Sequence, residues 1–328
     1  MAYVYRHFIP QNTSPVGAKS IGVYGSNGQK VCDIPLGGLA HYTGAKLYSF
    51  GLVSDTHLYK TEPAWRANAK FDNTLTYLEG QGCVFCAHTG DITNSGLFTG
   101  GDSVNMDAGQ FVKYKEICDR HTIPVYAICG NHDSYVNPIT NNLSELKTYT
   151  GTDLYYTVTQ GNDLFIFLGQ PRGTTPMGDD ALQWLSETLE ANQNKRCFVF
   201  VHPHISSGNP LGAYTSNNLF ANWGANTDTF KDMLKQHKNV ILFHGHSHTK
   251  FECQELDKRA NYTDADGFKS IHIPSLTRPR NVINGELSSA DGESQGYVVD
   301  VYADCVVFNG LNFIDNIPVP LGTYKIDI

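Results

Sequence analysis

Five short stretches of the 328-residue chain concentrate carboxylate, imidazole and carboxamide side chains. They are Asp55-Thr-His57, Gly90-Asp91, Gly130-Asn131-His132-Asp133, His202-Pro-His204 and Gly245-His246-Ser-His248. Carboxylate oxygens, imidazole nitrogens and an amide carbonyl suit divalent transition metals such as Mn, Fe, Zn or Co. No cysteine is in the set, which argues against a thiolate site. The donors outnumber the four that close a structural zinc site. That surplus points to two metals sharing a carboxylate, which at ~3.5–4 Å apart can clamp an in-line displacement at phosphorus. Taken singly, each piece has an ordinary explanation. Asp55 caps a helix, Gly90-Asp91 is a turn, Asn131-His132-Asp133 is a polar loop, and a lone histidine is a surface or satisfied core residue. Only His246-Ser-His248 is suggestive by itself. Independent turns, however, have no reason to collect metal donors five times.

Each stretch follows an apolar run that reads as a strand: 47–54, 83–87, 125–129, 197–201 and 240–243. Apolar spacing on one face predicts helices over 63–78, 108–119, 143–149, 180–191 and 227–236. Residues 154–159 and 164–168 read as an antiparallel pair around Gly161-Asn162, and 251–256, 270–273, 297–301 and 305–308 as late strands. Alternating strands and helices followed by a strand-rich tail imply an α/β domain with a mixed sheet. In open sheets of this kind, sites form beyond the carboxyl ends of the strands. The topology therefore gathers the five stretches in one crevice.

The ordered series Asp55-x-His57, Gly90-Asp91, Gly130-Asn131-His132-Asp133, His202 and Gly245-His246-x-His248 resembles the calcineurin-like metallophosphoesterase family. It is most similar to the bacterial phosphodiesterase-like branch, and less so to the purple acid phosphatases, whose tyrosine ligand near Asp91 is not apparent. The resemblance implies a four-layer α/β/β/α sandwich with two mixed central β-sheets, the late strands to about residue 309 completing the second sheet. It implies that Asp55, His57 and His248 hold one metal, that Asn131, His202 and His246 hold the other, and that Asp91 bridges them. His132 would contact the substrate phosphate and protonate the leaving oxygen, with Asp133 orienting His132 or a neighbouring ligand. His202 and His204 compete for one ligand position. His202 is favoured because it directly ends an apolar strand, leaving His204 to line the cleft. A bridging water acidified by the two ions would supply the attacking hydroxide.

Substrate contacts are less defined. Tyr59, Tyr135, Arg172, Tyr214, Trp223, Arg278 and Arg280 fall in loops that could shape a pocket, and of these Tyr59 and Arg278 are selected together with His204. Arg278-Pro-Arg280 either holds a phosphate or decorates a loop.

Composition sets the outer bounds. Lys+Arg number 24 against 32 Asp+Glu, a net charge of -8, and 41% of residues are hydrophobic. The acidic balance argues against binding of a nucleic-acid polymer, which draws much of its affinity from Lys and Arg. A small phosphate ester, nucleotide-like esters included, is the expected substrate, as monoester or diester. A nuclease of the same chemistry and a non-enzymatic scaffold of the same fold are the alternatives. No apolar run reaches the ~20 residues of a membrane span, and the first residues carry no signal-peptide pattern, so the chain reads as cytoplasmic. Several of the eight cysteines sit in apolar runs and read as buried free thiols. Residues 1–46, rich in Gly, Ser, Asn and Pro, read as an arm or small β cap outside a catalytic domain spanning 47–328.

Overall fold

A computed structural model describes residues 20–24, 30–35, 44–94, 109–133, 142–170, 178–203, 226–253, 261–264, 267–283 and 286–328. In chain order the first elements are β1 (Ser20–Tyr24), β2 (Lys30–Pro35), β3 (Tyr48–Val53), α1 (Ala67–Gly80), β4 (Cys86–His88), α2 (Gly109–Cys118), β5 (Val125–Ala127) and α3 (Asn142–Thr150). There follow β6 (Tyr155–Gln160), β7 (Asp163–Leu168), α4 (Asp179–Glu190), β8 (Arg196–Phe200), α5 (Thr227–Gln236) and β9 (Val240–His244). The tail holds β10 (Tyr262–Thr263), β11 (Lys269–His272), β12 (Arg280–Ile283), β13 (Glu286–Ser289), β14 (Gln295–Val301), β15 (Cys305–Asn312), β16 (Ile317–Pro318) and β17 (Tyr324–Asp327).

Two mixed sheets result. One has the order β16-β15-β14-β3-β4-β5, with β17 added on β15; the other has the order β10-β11-β9-β8-β7-β6. Within them β3, β4 and β5 run parallel, as do β7, β8, β9 and β11. The tail thus divides between the sheets instead of completing only the second. β14 pairs antiparallel with β3, while β11 pairs parallel with β9. Two short strands, β1 and β2, pair antiparallel in the N-terminal segment.

The alternation of side chains along each strand builds the layers. Phe165 and Phe167, Phe198 and Phe200, and Ile241 and Phe243 face Phe50, Leu52, Phe85, Tyr297 and Phe308 of the first sheet. Their in-between neighbours Leu164, Ile166, Val199 and Leu242 pack instead on Leu185 and Leu189 of α4 and Phe230 and Leu234 of α5. On the other side, Cys86 and Val298 pack with Phe71, Leu75 and Leu78 of α1 and Phe111 and Tyr114 of α2. Three apolar seams separate four layers, which is the expected α/β/β/α sandwich. In the middle seam Phe167, Phe200 and Phe243 stack with centroids 4.6 and 4.8 Å apart, each such pair adding about 0.5–1.5 kcal/mol beyond buried area. At the strand ends away from the five motifs, the Tyr48 hydroxyl donates to Asp163, and Arg196 donates to the same carboxylate through Nε at 2.8 Å and Nη2 at 2.5 Å. This buried group ties the floors of the two sheets.

Three expectations change locally. α1 begins at Ala67, not at residue 63. Arg66 before it is left-handed at φ 60°, and the Glu62 carboxylate accepts from the backbone N–H of Asn68 and Ala69, supplying the cap. β4 begins only at Cys86: residues 81–82 form a turn, and the Val84 N–H and Phe85 carbonyl bond to β3 at 2.8 and 2.9 Å ahead of the strand proper. Phe251–Cys253 form a turn rather than the start of a strand, and the rest of 251–256 lies outside the described residues. Seven cysteines, Cys83 and Cys86 among them, are free thiols. No helix among the described residues is long and apolar enough to cross a membrane.

Gly51 of β3 faces α1, and a Cβ there would overlap the Leu78 side chain. Gly51→Ala is expected to lower the unfolding free energy by about 1–3 kcal/mol, and Leu78→Ala by about 2–5 kcal/mol. In the double variant the cost of Gly51→Ala largely disappears, because its clash partner is gone. Urea denaturation of the four proteins measures the coupling; strictly additive losses would refute this packing.

Candidate metal centre

Five parallel strands deliver the motifs. β3 leads into Asp55 and His57, β4 into Asp91, β5 into Asn131 and His132, β8 into His202, and β9 into His246 and His248. A strand cannot turn its ending side chains inward over a sheet rim without leaving extended geometry. The backbone shows this directly: Asp55 (φ 52°), His57 (43°), Asp91 (51°), His246 (69°) and His248 (60°) are all left-handed. Among the described residues only Arg66 and Asn316 share that conformation without being glycine. Each such residue costs about 1–3 kcal/mol, a strain that persists only where the surroundings over-determine it.

The surroundings do so by hydrogen bonding loop to loop. Asp55 N donates to Gly90 O at 3.0 Å, His57 N to Asp91 O at 3.0 Å and Gly245 N to His202 O at 3.1 Å. The Ser275 hydroxyl donates to the Asp55 carbonyl at 2.8 Å, and that of Thr277 to the Thr56 carbonyl at 2.7 Å. Two motif glycines make room. A Cβ on Gly130 would overlap Asp91, and one on Gly245 would overlap Ser54 and crowd Asp55.

The two carboxylates divide their oxygens in the same way. Asp55 Oδ2 accepts from Ser54 Oγ at 2.5 Å and from His246 N at 2.9 Å, while Oδ1 is buried without a hydrogen bond. Asp91 Oδ1 accepts from His132 N at 2.7 Å, while Oδ2 is likewise buried without one. Imidazoles surround those two oxygens. His248 Nε2 is 3.1 Å and His57 Nε2 3.8 Å from Asp55 Oδ1; His202 Nε2 is 3.2 Å and His57 Nε2 3.8 Å from Asp91 Oδ2. His57 and His248 approach each other Nε2 to Nε2 at 2.9 Å, and His246 Nδ1 is 3.1 Å and Asn131 Oδ1 3.0 Å from His202 Nε2. With bonds of ~2.0–2.2 Å, ligands around one ion stand roughly 3–3.5 Å apart. Two groups could hold an ion: Asp55, His57, Asp91 and His248, and Asp91, His202 and His246. Asp91 belongs to both, so the donor set fits a dinuclear centre.

Electrostatics prepares these groups as electron-pair donors. Burial works against ionisation of Asp55, but His248, His57 and His202 outweigh it and hold the carboxyl well below its usual range. Asp91 is held low in the same way, burial being outweighed by His202, His132 and His57. Burial pushes His57 down to about 4, keeping its ring neutral. His202 differs. Burial opposes its charge, yet Asp91, Asp55 and the Thr89 carbonyl raise it to about 9. A proton and a metal ion would therefore compete for Nε2. Its Nδ1 lies 2.8 Å from the Thr89 carbonyl and must donate, which turns Nε2 toward Asp91.

His132 stands at the edge of this group. Its ring meets that of His57 edge-on at 4.8 Å between centroids, and its Nδ1 donates to the Asn94 carbonyl at 2.6 Å. Asp133 does not orient that ring. Its carboxylate accepts from Gly130 N at 2.9 Å, Thr93 N at 2.9 Å, Ile92 N at 3.1 Å and Thr93 Oγ1 at 3.0 Å. It thereby staples the loop after β4 to the loop after β5.

Of the selected substrate contacts, Tyr59 and Arg278 are brought together around Trp65. The Tyr59 ring meets it edge-on at 5.3 Å, and the Arg278 guanidinium lies 4.5 Å over it. Arg278 also reaches Ser289 Oγ at 3.2 Å and Asp291 Oδ1 at 3.4 Å. His204, Tyr135, Arg172, Tyr214 and Trp223 lie outside the described residues. Two contributors were not singled out from sequence. His88 accepts from Gly90 N on Nδ1 and meets Thr56 Oγ1 with Nε2 at 2.9 Å, and burial keeps it neutral by pushing it down to about 3. Gln170, just past β7, accepts from His202 N at 3.2 Å. Both end strands, so the rule that found the candidate ligands would have reached them.

A family model described as calcineurin-like phosphoesterase matches residues 48–250, more than half of the chain. Among solved structures, a dimetal phosphatase from Danio rerio is similar at 14% identity and a TM-score of 0.60, over 86% of this chain and 99% of that one. The purple acid phosphatase PPD1 from yellow lupin, Lupinus luteus, is similar at 13% identity and a TM-score of 0.57, over 94% of this chain and 59% of that one. Identities this low speak for the fold alone. No curated protein matches the sequence.

Asp133→Asn exchanges a carboxylate with four donors for an amide with only one accepting oxygen. It is expected to destabilise the metal-free protein by about 2–4 kcal/mol, read by urea unfolding in the presence of a chelator. Unchanged stability there, with only turnover lost, would return Asp133 to a role on His132.

Proposed function

The chain belongs to the calcineurin-like phosphoesterase family, and on that premise we propose that it hydrolyses a small phosphate ester, nucleotide-like esters included, at the two donor groups that share Asp91. Metal-dependent phosphoester hydrolysis is the chemistry of this family. The observation that carries the reading to this chain is the pair of buried, unpaired carboxylate oxygens, Asp55 Oδ1 and Asp91 Oδ2, ringed by imidazoles. Asp55, His57 and His248 would hold one ion, Asn131, His202 and His246 the other, and Asp91 both. Mn, Fe, Zn and Co all suit these donors. Two such ions supply, when bound, a water acidified to near neutral pH and compensation for charge on the phosphoryl oxygens.

The remaining roles belong to the chain. The buried members of the set, Asp55, His57, Asp91, His202 and His248, form the base of the site, while His246, Asn131 and His132 are partly exposed and face the approach. The Asn94 carbonyl fixes the His132 ring by accepting from Nδ1, so Nε2 is the nitrogen that can donate to a leaving oxygen. The His132 backbone N–H meanwhile holds Asp91 Oδ1, coupling placement of the acid to placement of the shared ligand. The net charge of -8 favours a small ester over a nucleic-acid polymer.

Protein reloaded separately with Mn, Fe, Zn or Co and assayed on phosphomonoesters, phosphodiesters, cyclic nucleotides and single-stranded DNA tests the proposal. Turnover of a small ester supports it. Full metal occupancy without turnover of any substrate would leave the scaffold reading standing, and degradation of DNA in preference to the small esters would favour the nuclease.

Asp91→Ala is expected to lose bound metal together with activity. His132→Ala is expected to keep the metal and lose about 10²–10⁴-fold in kcat. Metal analysis alongside kinetics separates the two, and an active Asp91→Ala protein would sink the model.

A further inference from the structure

Two arginines flank Pro279, and the structure treats them differently. The guanidinium of Arg278 is engaged by Trp65, Ser289 and Asp291. Arg280 is bound only through its backbone. Its N–H donates to the His248 carbonyl at 2.7 Å, its carbonyl accepts from Lys250 N at 3.1 Å, and it forms a parallel bridge with Thr249. It therefore lies against the loop that carries His246 and His248. Its side chain is only partly exposed, and its guanidinium has no hydrogen bond or ion pair among the described residues. Arg196, the buried arginine of the sheet floor, is by contrast fully engaged by Asp163 and the Tyr302 carbonyl.

A guanidinium withdrawn from water without a partner is unfavourable. Asp55 is the anion that bears on Arg280, and its free oxygen is turned to the imidazoles of the metal group. Ions bound there would leave Arg280 beside a cationic centre, where only a further anion relieves it.

We propose that Arg280 binds a phosphoryl oxygen of the substrate and biases the site toward phosphomonoesters. The inference rests on the hydrolase reading above. Its chemistry is a count of oxygens and charges. A monoester presents three non-bridging oxygens and about two negative charges near neutral pH; a diester presents two oxygens and one charge. Two ions can engage two oxygens, so only the monoester retains a third for the guanidinium fork. Charge-assisted contacts of this kind are the strong ones.

The test compares the wild-type protein with Arg280→Gln, both loaded with the same metal. Inorganic phosphate binding is measured by calorimetry, and kcat/KM with p-nitrophenyl phosphate and bis-p-nitrophenyl phosphate. Removing a partly buried charge with no hydrogen bond or ion pair among the described residues does not threaten folding, and metal content is expected to stay at the wild-type level. The phosphate Kd is expected to rise about 10- to 100-fold. kcat/KM for the monoester falls by a similar factor, and that for the diester by less than about threefold. Unchanged phosphate affinity, equal losses on both esters, or loss of metal from the variant would each overturn the role given to Arg280. If the wild type cleaves neither ester, the wider substrate panel above decides the hydrolase reading, and the calorimetric comparison still decides whether Arg280 is the anion-binding group.

Discussion

Two buried carboxylates pointing unshared oxygens into one small space set the terms for the rest of the structure. Asp55 and Asp91 are almost wholly excluded from water, and each spends one oxygen on its own scaffold. The other oxygens have only imidazoles for company. Such an arrangement repels itself unless cations, protonated or metallic, enter it. Burial opposes a charge on the His202 imidazole, yet Asp91 and Asp55 raise it to about 9, so a proton there can meet part of that demand. A scaffold that holds this geometry must be stiffer than the repulsion it contains.

The stiffness has identifiable sources. Parallel strands from two sheets end at one rim, and a bridge between Ser54 and Ser275 joins the rims across the inner seam. Backbone bonds link successive motif loops, and side chains stand in where the backbone has run out. Asp133 gathers three N–H groups from two loops. Ser275 and Thr277 hold the two carbonyls that flank the Thr56 Cα, those of Asp55 and Thr56. Five left-handed residues in the ligand set are tolerable because these restraints are mutually consistent. Below them the phenylalanine stack of the middle seam gives the rim a floor with little freedom to relax.

Much of this was legible in the sequence because the information recurs. An apolar run followed by Asp, Asn or His appears five times, and each recurrence makes accident a poorer explanation. The alternation Leu164-Phe165-Ile166-Phe167 even distinguishes the two faces of β7. What the sequence withheld depends on contacts between residues distant in the chain. Nothing local to Asp133 says that it binds Ile92 and Thr93 and not the adjacent His132. The division of the tail between sheets follows from β14 pairing with β3, far earlier in the chain, as Tyr297 with Leu52 and Val301 with Tyr48. Arg278 and Arg280 look equivalent in an Arg-Pro-Arg string. Only the placement of Trp65 and Asp291 gives one of them partners and leaves the other without any among the described residues. The late start of α1 was hidden for the same reason, since its cap is the Glu62 side chain and not a residue at the cap position.

The acidic composition and a phosphate-binding site are compatible because they act over different distances. Two divalent ions would bring about four positive charges against about two negative ones from Asp55 and Asp91, leaving a cationic centre. In physiological salt that field fades within about 8–10 Å, so it is felt by a ligand already in the crevice. The excess of acidic side chains over the whole chain, 32 against 24 basic ones, acts on anything larger. A long polyanion must cross that surface and keep many phosphates near it, whereas a small ester places its single phosphoryl group where the local sign is reversed. On the proposed reading, exclusion by the surface and attraction at the rim would together select for size, without any side chain having to measure it.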